Sequence, residues 1–445
     1  MARPPLRIHL TSLGCARTLV DSEVALGGLA AGGWRVVDSV EGADVAVVNT
    51  CGFIDAAKAE SIETILELCR LKTKGKLGAV VVLGCLAQRF GEEIRKELPE
   101  VDGIIGTDSY ADLAKILEPL RNIHRISARP TYLLDENTPR ISLTQPHLAY
   151  IKISEGCINA CSYCMIPKMK GPHRSRTVGS VVAEVRRLAS ERKLSEIDLI
   201  GQDTAAFGHD RDRVFELPRL LRELGGLDAA PWIRLLYAHP GHVTGELIDA
   251  MAETAAVCKY VDFPVEHSHD AVLKRMNRGV DRSRMEWGIH ELRRRMPGVA
   301  LRTTVIVGFP GETEEEFRDL MDFLKGHRFE RLGAFEFSRE EGSRAHPMPD
   351  QLPDRVKRSR FAAVMEQQKA ISLELNEALV GRSLRVLIDE PDPDEKGIYL
   401  GRTEADAPDV DDQVRISSSR ALAPGEFVEA HITDAFEYEL SGVAA

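Results

Sequence analysis

The sequence predicts an α/β protein built from three consecutive regions. Strand-like apolar runs alternate with helical patterns in two separate stretches, which indicates two parallel sheets. A polar, proline-containing stretch separates them, and short strand-like runs with Pro, Gly and Asp turns follow Gly381. The 445 residues suit about three domains. We expect an open, Rossmann- or flavodoxin-like sheet in 1–125, a linker in 126–145, six βα repeats in 146–378 and a small, OB-like all-β barrel in 379–445.

The first region contains a candidate ligand site. Its three clearest strand-like runs each end on a cysteine next to a glycine, at Cys15, Cys51 and Cys85. Open parallel sheets bind their ligands at the carboxyl ends of the strands, so these three side chains are predicted to meet there. The alternative is three unrelated buried cysteines, which is how we interpret Cys69 on a helical pattern and Cys258.

The second region has six strand-like runs separated by helical patterns, which predicts a parallel sheet with right-handed crossovers, either open or curled into a barrel. The runs are AYIKIS, EIDLIG, WIRLLY, YVDFPV, ALRTTVIVG and RLGAFEFS. A long helical pattern closes this region, with Gly381 as its expected C-cap. The third region changes to short strands, which predicts the small barrel. Its runs are SLRVLIDE, GIYLGRTE, QVRISS, EFVEAHITDA and YELSGVA.

Composition narrows the class of protein. With 43% hydrophobic and 29% charged residues and a mean hydropathy of −0.18, the chain is typical of a soluble globular protein. No apolar run approaches the ~20 residues of a membrane span. The start, MARPPLRIHLTSLGCA, has too short an apolar part for a leader, so we interpret it as a first strand and expect a cytosolic protein. The cytosol keeps thiols reduced, which favours metal ligation or redox chemistry over disulfides for clustered cysteines.

The net charge of −11 is unevenly distributed. From Gly381 to the C-terminus there are fifteen acidic and six basic residues, so this segment carries −9 of the total. Such a surface repels phosphate backbones and attracts basic partners. The alternative is an acidic face that is only solvated.

The stretch GCINACSYC places Cys157, Cys161 and Cys164 within eight residues. A zinc site usually needs four protein ligands, and no nearby histidine completes one, since His173 lies beyond the loop PKMKGP. Iron–sulfur clusters favour thiolates on one short loop. Three thiolates on a [4Fe–4S] cluster leave one iron open, which predicts a site that binds a small molecule.

This motif, on the loop after the first strand of six βα repeats and followed by the glycine-rich strand end VIVGFPGET, resembles the radical S-adenosylmethionine (SAM) enzymes. The resemblance implies that the open iron binds SAM and that one-electron reduction cleaves SAM to a 5′-deoxyadenosyl radical. The order of the whole chain, with a TRAM-type barrel at its end, is similar to the methylthiotransferases. That similarity implies a second [4Fe–4S] cluster on Cys15, Cys51 and Cys85, whose open iron presents the sulfur to be inserted.

Within that family the chain resembles the RimO-type branch, which modifies a ribosomal protein rather than tRNA. The matching stretches are KISEGCINACSYCMIP, GPHRSRT, GQDTAAFG, LLYAHP and GRTEADAPDVD, with Asp203 where the tRNA branch typically has asparagine. The resemblance implies a methylthio group added to the β-carbon of an aspartate of the twelfth small-subunit ribosomal protein, with the methyl group taken from a second SAM. This strongly basic partner suits the acidic C-terminal region, so we expect no direct nucleic-acid binding. An electron donor such as flavodoxin or ferredoxin is also expected.

The resemblance suggests cofactor contacts besides the cysteines: Gly308, Gly311, Arg174, Arg176, Gln202 and Asp203. Each has a structural alternative, which is a strand-to-helix turn for the glycines, a solvated basic turn for the arginines and a helix N-cap for the aspartate. His239 and His267 lie just past strand ends, where a structural role competes with catalysis. Glu266 stands where we expect glutamine in relatives, and no role is assigned to it.

Two rival functions follow from the same residues. A tRNA adenosine methylthiotransferase predicts a basic C-terminal barrel, which the acidic count opposes. A non-catalytic iron–sulfur protein, such as an electron carrier, needs four protein ligands per cluster and no SAM pocket.

Overall fold

In the computed structural model, which describes residues 5–445, the N-terminal region is a six-stranded parallel sheet in the order β2-β1-β3-β4-β5-β6. Its strands are β1 Arg7–Ser12, β2 Arg35–Val36, β3 Val45–Thr50, β4 Ala79–Gly84, β5 Gly103–Ile105 and β6 Ile123–Arg125. Its helices are α1 Ala16–Ala31, α2 Asp55–Thr73, α3 Cys85–Glu97 and α4 Leu113–Ile116. Helices cover both faces of the sheet, so the central strands β3 and β4 are buried along their whole length. The predicted open parallel sheet is confirmed.

The central region is a partial barrel of parallel strands surrounded by helices. Its strands are β7 Leu148–Lys152, β8 Ser154–Glu155, β9 Arg174–Ser175, β10 Glu196–Ile200, β11 Trp232–Leu235, β12 Tyr260–Asp262, β13 Ala300–Val307 and β14 Arg331–Glu336. Its helices are α5 Ile166–Lys170, α6 Val178–Glu191, α7 His209–Asp212, α8 Leu217–Gly225, α9 Gly245–Glu253, α10 Asp270–Arg275, α11 Arg282–Arg295, α12 Glu314–His327 and α13 Asp354–Glu377.

Six of these strands correspond to the six predicted runs. They form two parallel sheets, β11-β10-β7 and β12-β13-β14. The sheets meet at β11 and β12, where the Ala238 amide donates to the Asp262 carbonyl at 2.9 Å. The row of six therefore has β7 and β14 as its two edges, which is the geometry of an incomplete barrel. The six predicted βα repeats are confirmed, and of the two alternatives the sheet is curled into a partial barrel rather than open.

The linker stretch 126–145 contains no helix or strand but is held against its neighbours. The Arg140 guanidinium donates to Glu23 of α1 and to Glu184 of α6, each at 2.5 Å. All three side chains are at least 94% buried. Tyr150 of β7 adds a carbonyl acceptor to the same guanidinium at 2.9 Å. The linker therefore ties α1 of the first region to the start of the central barrel.

The C-terminal region is a closed five-stranded barrel in the order β15-β16-β17-β19-β18. Its strands are β15 Ser383–Pro391, β16 Ile398–Arg402, β17 Gln413–Ser417, β18 Phe427–Ala435 and β19 Glu439–Ala444. Buried residues of all but one strand, including Val386, Val414, Val428 and Leu440, form its core. The predicted small all-β barrel is confirmed.

This small barrel packs against the amino-terminal ends of the central strands. Asp406 accepts hydrogen bonds from Arg331 at 2.6 and 3.0 Å. Asp411 accepts from the Tyr260 hydroxyl at 2.6 Å and from Arg302 at 3.2 Å. Much of the acidic excess counted in the sequence therefore lies in an internal interface rather than on an open surface. Within residues 5–445, no helix has the length and apolar character needed to cross a membrane.

Candidate functional site

The six cysteines predicted as ligands line a single cavity of about 290 Å³ between the N-terminal sheet and the central barrel. They are free thiols in the structure. The carboxyl ends of the N-terminal strands therefore face the carboxyl ends of the barrel strands, which is where both folds place their ligands. The cavity lies between two triads of cysteines: Cys15, Cys51 and Cys85 on one side, and Cys157, Cys161 and Cys164 on the other.

Three adjacent strands present the first triad, which we call the N-terminal triad. Cys15 and Cys51 follow β1 and β3, and Cys85 is the first residue of α3 directly after β4. The turn before Cys85 requires glycine, because Gly84 has a φ of +98° and a Cβ there would lie 2.3 Å from the Asn49 side chain. The predicted convergence of three strand ends is what the structure contains.

A short antiparallel hairpin of β8 and β9 carries the second triad, which we call the loop triad. Gly156 precedes Cys157 with a φ of +74°, and a Cβ there would lie 2.1 Å from the Pro172 carbonyl oxygen. Backbone amides donate to two of the sulfurs, from Asn159 to Cys157 and from Ile166 to Cys164, both at 3.4 Å. Such hydrogen bonds stabilise thiolates, so this loop is shaped to bind through its sulfurs.

Arginines contact one sulfur of each triad. Arg17 donates through Nε to Cys15 Sγ at 3.4 Å, and Arg278 donates to Cys161 Sγ at 3.6 Å. Although burial acts in the opposite direction, Arg17 lowers the pKa of the Cys15 thiol to about 6. Burial raises the pKa of Cys85 to about 12 and that of Cys157 to about 11. The Cys15 thiol therefore ionises more readily than those of Cys85 and Cys157, and cysteines that bind a metal do so as thiolates.

The spacing of the cysteines suits a cluster rather than a single ion. In residues 5–445, the one set of three potential ligand atoms that lie within 4.8 Å of one another belongs to Asp203, His239 and His242. A zinc ion with bonds of ~2.3 Å would need its sulfurs about 4 Å apart. Within residues 5–445, neither triad has its three sulfurs all within 4.8 Å of one another, and thiolates are the ligands that iron–sulfur clusters prefer. The donor chemistry of each triad therefore suits an iron–sulfur cluster.

The set of Asp203, His239 and His242 is a hydrogen-bond network. His239 uses both ring nitrogens, since Nδ1 accepts from the Gly241 amide and Nε2 donates to the Arg278 carbonyl, each at 3.1 Å. Asp203 accepts from His242 and from the Asn159 amide, each at 2.7 Å. Asp203 does not line the cavity, but it accepts a hydrogen bond from Asn159, which itself donates to Cys157. His239 lines the cavity, but both of its ring nitrogens already bond to backbone groups, which indicates a structural role.

Gln202 is the one predicted cofactor contact outside the cysteines that lines the cavity. Its amide nitrogen donates to Glu155 at 2.5 Å, while its amide oxygen is buried without a hydrogen-bond partner in the described chain. An unpaired buried acceptor at a cavity wall is costly unless a ligand supplies a donor. Gln202 is therefore suited to contact a bound molecule.

The predicted arginine contacts lie elsewhere. Arg176 is buried in an ion pair with Glu184 and also donates to Ser180, so its charge is already neutralised. Arg174 donates to three backbone carbonyls, those of Pro172, Tyr132 and Lys170. Neither lines the cavity, and both fasten the loop that follows the cysteine motif.

The predicted glycine contacts form a strand-to-helix turn after β13. Gly308 and Gly311 have φ values of +75° and +72°. The Glu312 carboxylate accepts hydrogen bonds from the amides of Gly308 and Phe309. His267, which lies beside Glu312, accepts from the His269 amide at 3.0 Å. None of these residues is part of the cavity wall, so a contact of Gly308 or Gly311 with a cofactor stays a prediction.

Two strained residues at strand ends line the cavity and were not assigned from the sequence. Tyr237 and Glu266 have left-handed backbones, with φ values of +62° and +68°. The Tyr237 ring lies under the Arg17 guanidinium at 4.4 Å. Burial raises the pKa of Glu266, opposed in part by Arg278. Backbone strain of this kind is typical of functional sites, and no sequence pattern predicts it.

Comparison with known families divides the chain in the same order as the fold. Residues 7–106 match the uncharacterized protein family UPF0004, residues 151–324 the radical SAM superfamily and residues 380–444 the TRAM domain. Among solved structures, a radical SAM methyltransferase from Kitasatospora setae, TsrM, has a TM-score of 0.55 at 16% identity, covering 85% of this chain and 76% of its own. That similarity supports the fold of the central region.

Curated relatives match over almost the whole length. The ribosomal protein uS12 methylthiotransferase RimO of Desulforamulus reducens is 42% identical over 98% of this chain and 99% of its own. Those of Clostridioides difficile and Myxococcus xanthus are each 43% identical over 98% of this chain, and over 98% and 91% of their own lengths. The chain therefore belongs to the RimO family of ribosomal protein uS12 methylthiotransferases.

Proposed function

We propose that this chain adds a methylthio group to the β-carbon of an aspartate of ribosomal protein uS12. Family membership supports the reaction class. The observation that carries the proposal is that both cysteine triads line one cavity. SAM held at one triad and sulfur held at the other would both have to reach the same substrate carbon, and a shared cavity permits this.

In this proposal each triad holds one [4Fe–4S] cluster. When bound, the two clusters and SAM would supply one-electron cleavage of SAM, the inserted sulfur and the methyl group. The chain itself provides hydrogen bonds to the sulfurs from Arg17, Arg278 and Asn159. Gln202 has a buried amide oxygen without a hydrogen-bond partner in residues 5–445, which would suit the amino group of SAM. These groups orient the reactants and leave the bond-breaking chemistry to the cofactors.

Apolar side chains form part of the cavity wall. Tyr163, Ile166, Met169 and Pro264 line it beside the cysteines. Met169 is 1% exposed and packs against Cys85 in a small apolar cluster. Apolar surface beside the cysteines would limit the access of water to a reactive substrate carbon.

The proposal extends to the partners and the location of the protein. The strongly basic uS12 would contact the C-terminal barrel at its exposed acids. The protein would act in the cytoplasm, where flavodoxin or ferredoxin would supply electrons. The exposed acids are Glu390, Asp394, Glu395, Asp409, Glu429 and Asp434. Opposite charges speed encounter more than they tighten a complex, so the association rate should fall with added salt. An association rate that stays unchanged after neutralising Glu390, Asp394 and Glu395 contradicts this contact.

The first experiment counts iron after anaerobic reconstitution. Wild type should bind about eight irons, as two [4Fe–4S] clusters require. Alanine variants of either triad should keep about half of that iron, and a Cys69/Cys258→Ala control should keep all of it, since neither thiol lines the cavity. Mass spectrometry of uS12 after turnover with SAM and reductant then tests for the methylthio group. A variant of the N-terminal triad that loses no iron would overturn the assignment.

A further inference from the structure

A buried carboxylate joins the N-terminal region to the central barrel beside the cavity. Glu340, in the loop after β14, has a side chain only 4% exposed. It accepts hydrogen bonds from Lys58 of α2 at 2.8 Å and from Arg89 of α3 at 2.6 Å. The hydroxyl of Ser338, in the same loop, donates to its other oxygen at 2.6 Å. One carboxylate thus holds two helices that belong to a different sheet.

Those two helices follow Cys51 and Cys85. The Arg89 guanidinium also donates to the carbonyl of Gly52 at 3.0 Å, and Gly52 directly follows Cys51. A Cβ on Gly52 would lie 2.9 Å from the backbone of Leu86, the residue after Cys85. The turns that carry these two cysteines are therefore packed together, and Arg89 connects them to the buried carboxylate.

Cys15, the third member of the N-terminal triad, is held by separate contacts. Arg17, which donates to its sulfur, also donates to the Gly201 carbonyl at 3.2 Å and stacks on Tyr237, both in the central region. Loss of the carboxylate therefore affects two of the three positions and leaves the third in place. A change of the triad's shape and orientation is expected rather than a uniform displacement.

We infer that Glu340 is a positioning residue that sets where Cys51 and Cys85 stand relative to the loop triad across the cavity. Removing one partner of a buried ion pair leaves an uncompensated charge. Lys58 keeps its pair with Asp55 at 2.7 Å, but the Arg89 side chain, 5% exposed, loses its one ion pair in residues 5–445 and has to move towards water if Glu340 is neutralised. Arg89 lies on the helix that begins with Cys85 and donates to the residue after Cys51, so both turns would move with it. The inference rests on the proposed function. The position of one triad relative to the other matters only if the two clusters act on the same substrate carbon.

The test compares Glu340→Gln with Glu341→Gln. The Glu341→Gln substitution removes the same charge from an exposed side chain that forms no ion pair within residues 5–445. It keeps the Glu341 backbone carbonyl, which accepts from Arg89 at 2.8 Å, so it is a matched control. Hydrogen exchange is measured on the cluster-free chains, and spin coupling between the reduced clusters is measured by electron paramagnetic resonance on the loaded ones. Turnover is expressed as methylthiolated uS12 formed per 5′-deoxyadenosine released.

We expect Glu340→Gln to keep both clusters and to cleave SAM at the wild-type rate. Amides of α2 and of the start of α3 should exchange faster, the spin coupling should change, and product per cleaved SAM should fall about 10- to 100-fold, as misplacement of reacting groups does. Unchanged exchange and an unchanged product ratio overturn the role of Glu340. If wild type itself makes no methylthiolated uS12, the proposed function fails, while the exchange comparison still decides whether Glu340 holds the helices.

A second variant covers the case in which Glu340→Gln does not fold. Arg89→Lys keeps the charge but has one terminal nitrogen in place of two. It therefore cannot keep the bonds that one nitrogen makes to Glu340 and to the Gly52 carbonyl together with the bond that the other makes to the Glu341 carbonyl. It should show the same faster exchange near Cys51 and the same fall in product per cleaved SAM. Wild-type behaviour of Arg89→Lys in both measurements overturns the inference.

Discussion

At the scale of single residues, Asp203 acts on the loop triad without touching a cysteine. It is 1% exposed and accepts hydrogen bonds from Asn159 and His242. Asn159 in turn directs its backbone and side-chain amides at Cys157 Sγ, at 3.4 and 3.6 Å. Although burial works against ionisation, His242 and its neighbours hold the pKa of Asp203 well below its usual range. An ionised Asp203 therefore fixes the direction in which Asn159 points.

This arrangement predicts that Asp203→Ala weakens the cluster on the loop triad. Outer partners of metal ligands typically contribute 10- to 100-fold in affinity, and a loss of about that size is expected. Iron retained against a chelator, in a background lacking the N-terminal triad, measures it. Asp210→Ala is the control, because its carboxylate accepts from the Ser175 amide and does not reach a cysteine. Equal iron retention in the two variants would contradict the prediction.

At the scale of elements, α1 joins the two cysteine triads. Asp21 of α1 accepts from Lys152 of β7 and from Lys170 of α5, the latter at 2.7 Å. Glu155 of β8 accepts from Lys152 at 2.9 Å. All four side chains are at most 5% exposed. The helix that begins beside Cys15 is thus fixed to the strands and helix that frame the loop triad.

Asp21→Asn should lower the free energy of unfolding by about 3–5 kcal/mol, because it leaves two buried lysines with one carboxylate. Urea unfolding measures this, with Asp44→Asn as the control, since its pair with Arg7 is 38% and 49% exposed. Although burial opposes it, the two lysines hold the pKa of Glu155 well below its usual range. In the wild type, ionised Glu155 therefore adds to the free energy of unfolding above about pH 4.5, and this contribution is lost as the pH falls further. A destabilisation no larger than that of Asp44→Asn would contradict this account.

The long strands could be predicted from sequence, and the shortest elements could not. The run ADVAVVNTC is mostly apolar because β3 is covered on both faces, and it identified Cys51 at its end. The two-residue strands β8 and β9, which close the loop triad, are too short to show a period. Arg176 has the charge of a ligand contact, but its partner Glu184 comes from α6, and sequence does not reveal that pairing.

At the scale of the whole molecule, the net charge counted along the sequence does not show which charged side chains face solvent. Only six of the fifteen acids after Gly381 are exposed, beside four exposed bases. Asp406 and Asp411 instead pair with Arg331 and Arg302, which lie in the central region. Arg302 also lines the cavity, so the C-terminal barrel contacts a residue of the cavity wall through Asp411. A count along the sequence could not separate acids that face solvent from acids that hold two regions together.

This interface predicts that Asp406→Asn loosens the C-terminal barrel. Arg331 is 8% exposed and donates to Asp406 through two nitrogens, with a weaker pair to Asp412 at 3.3 Å. Losing the main partner of a buried arginine should cost about 3 kcal/mol, so trypsin should cut faster at the exposed Arg382, just beyond α13. Asp434→Asn, on the exposed side of β18, is the matched control. If both variants are cut at the wild-type rate, the barrel is held by its apolar contacts, such as the edge-on packing of Phe427 against Trp232 at 4.9 Å, rather than by its acids.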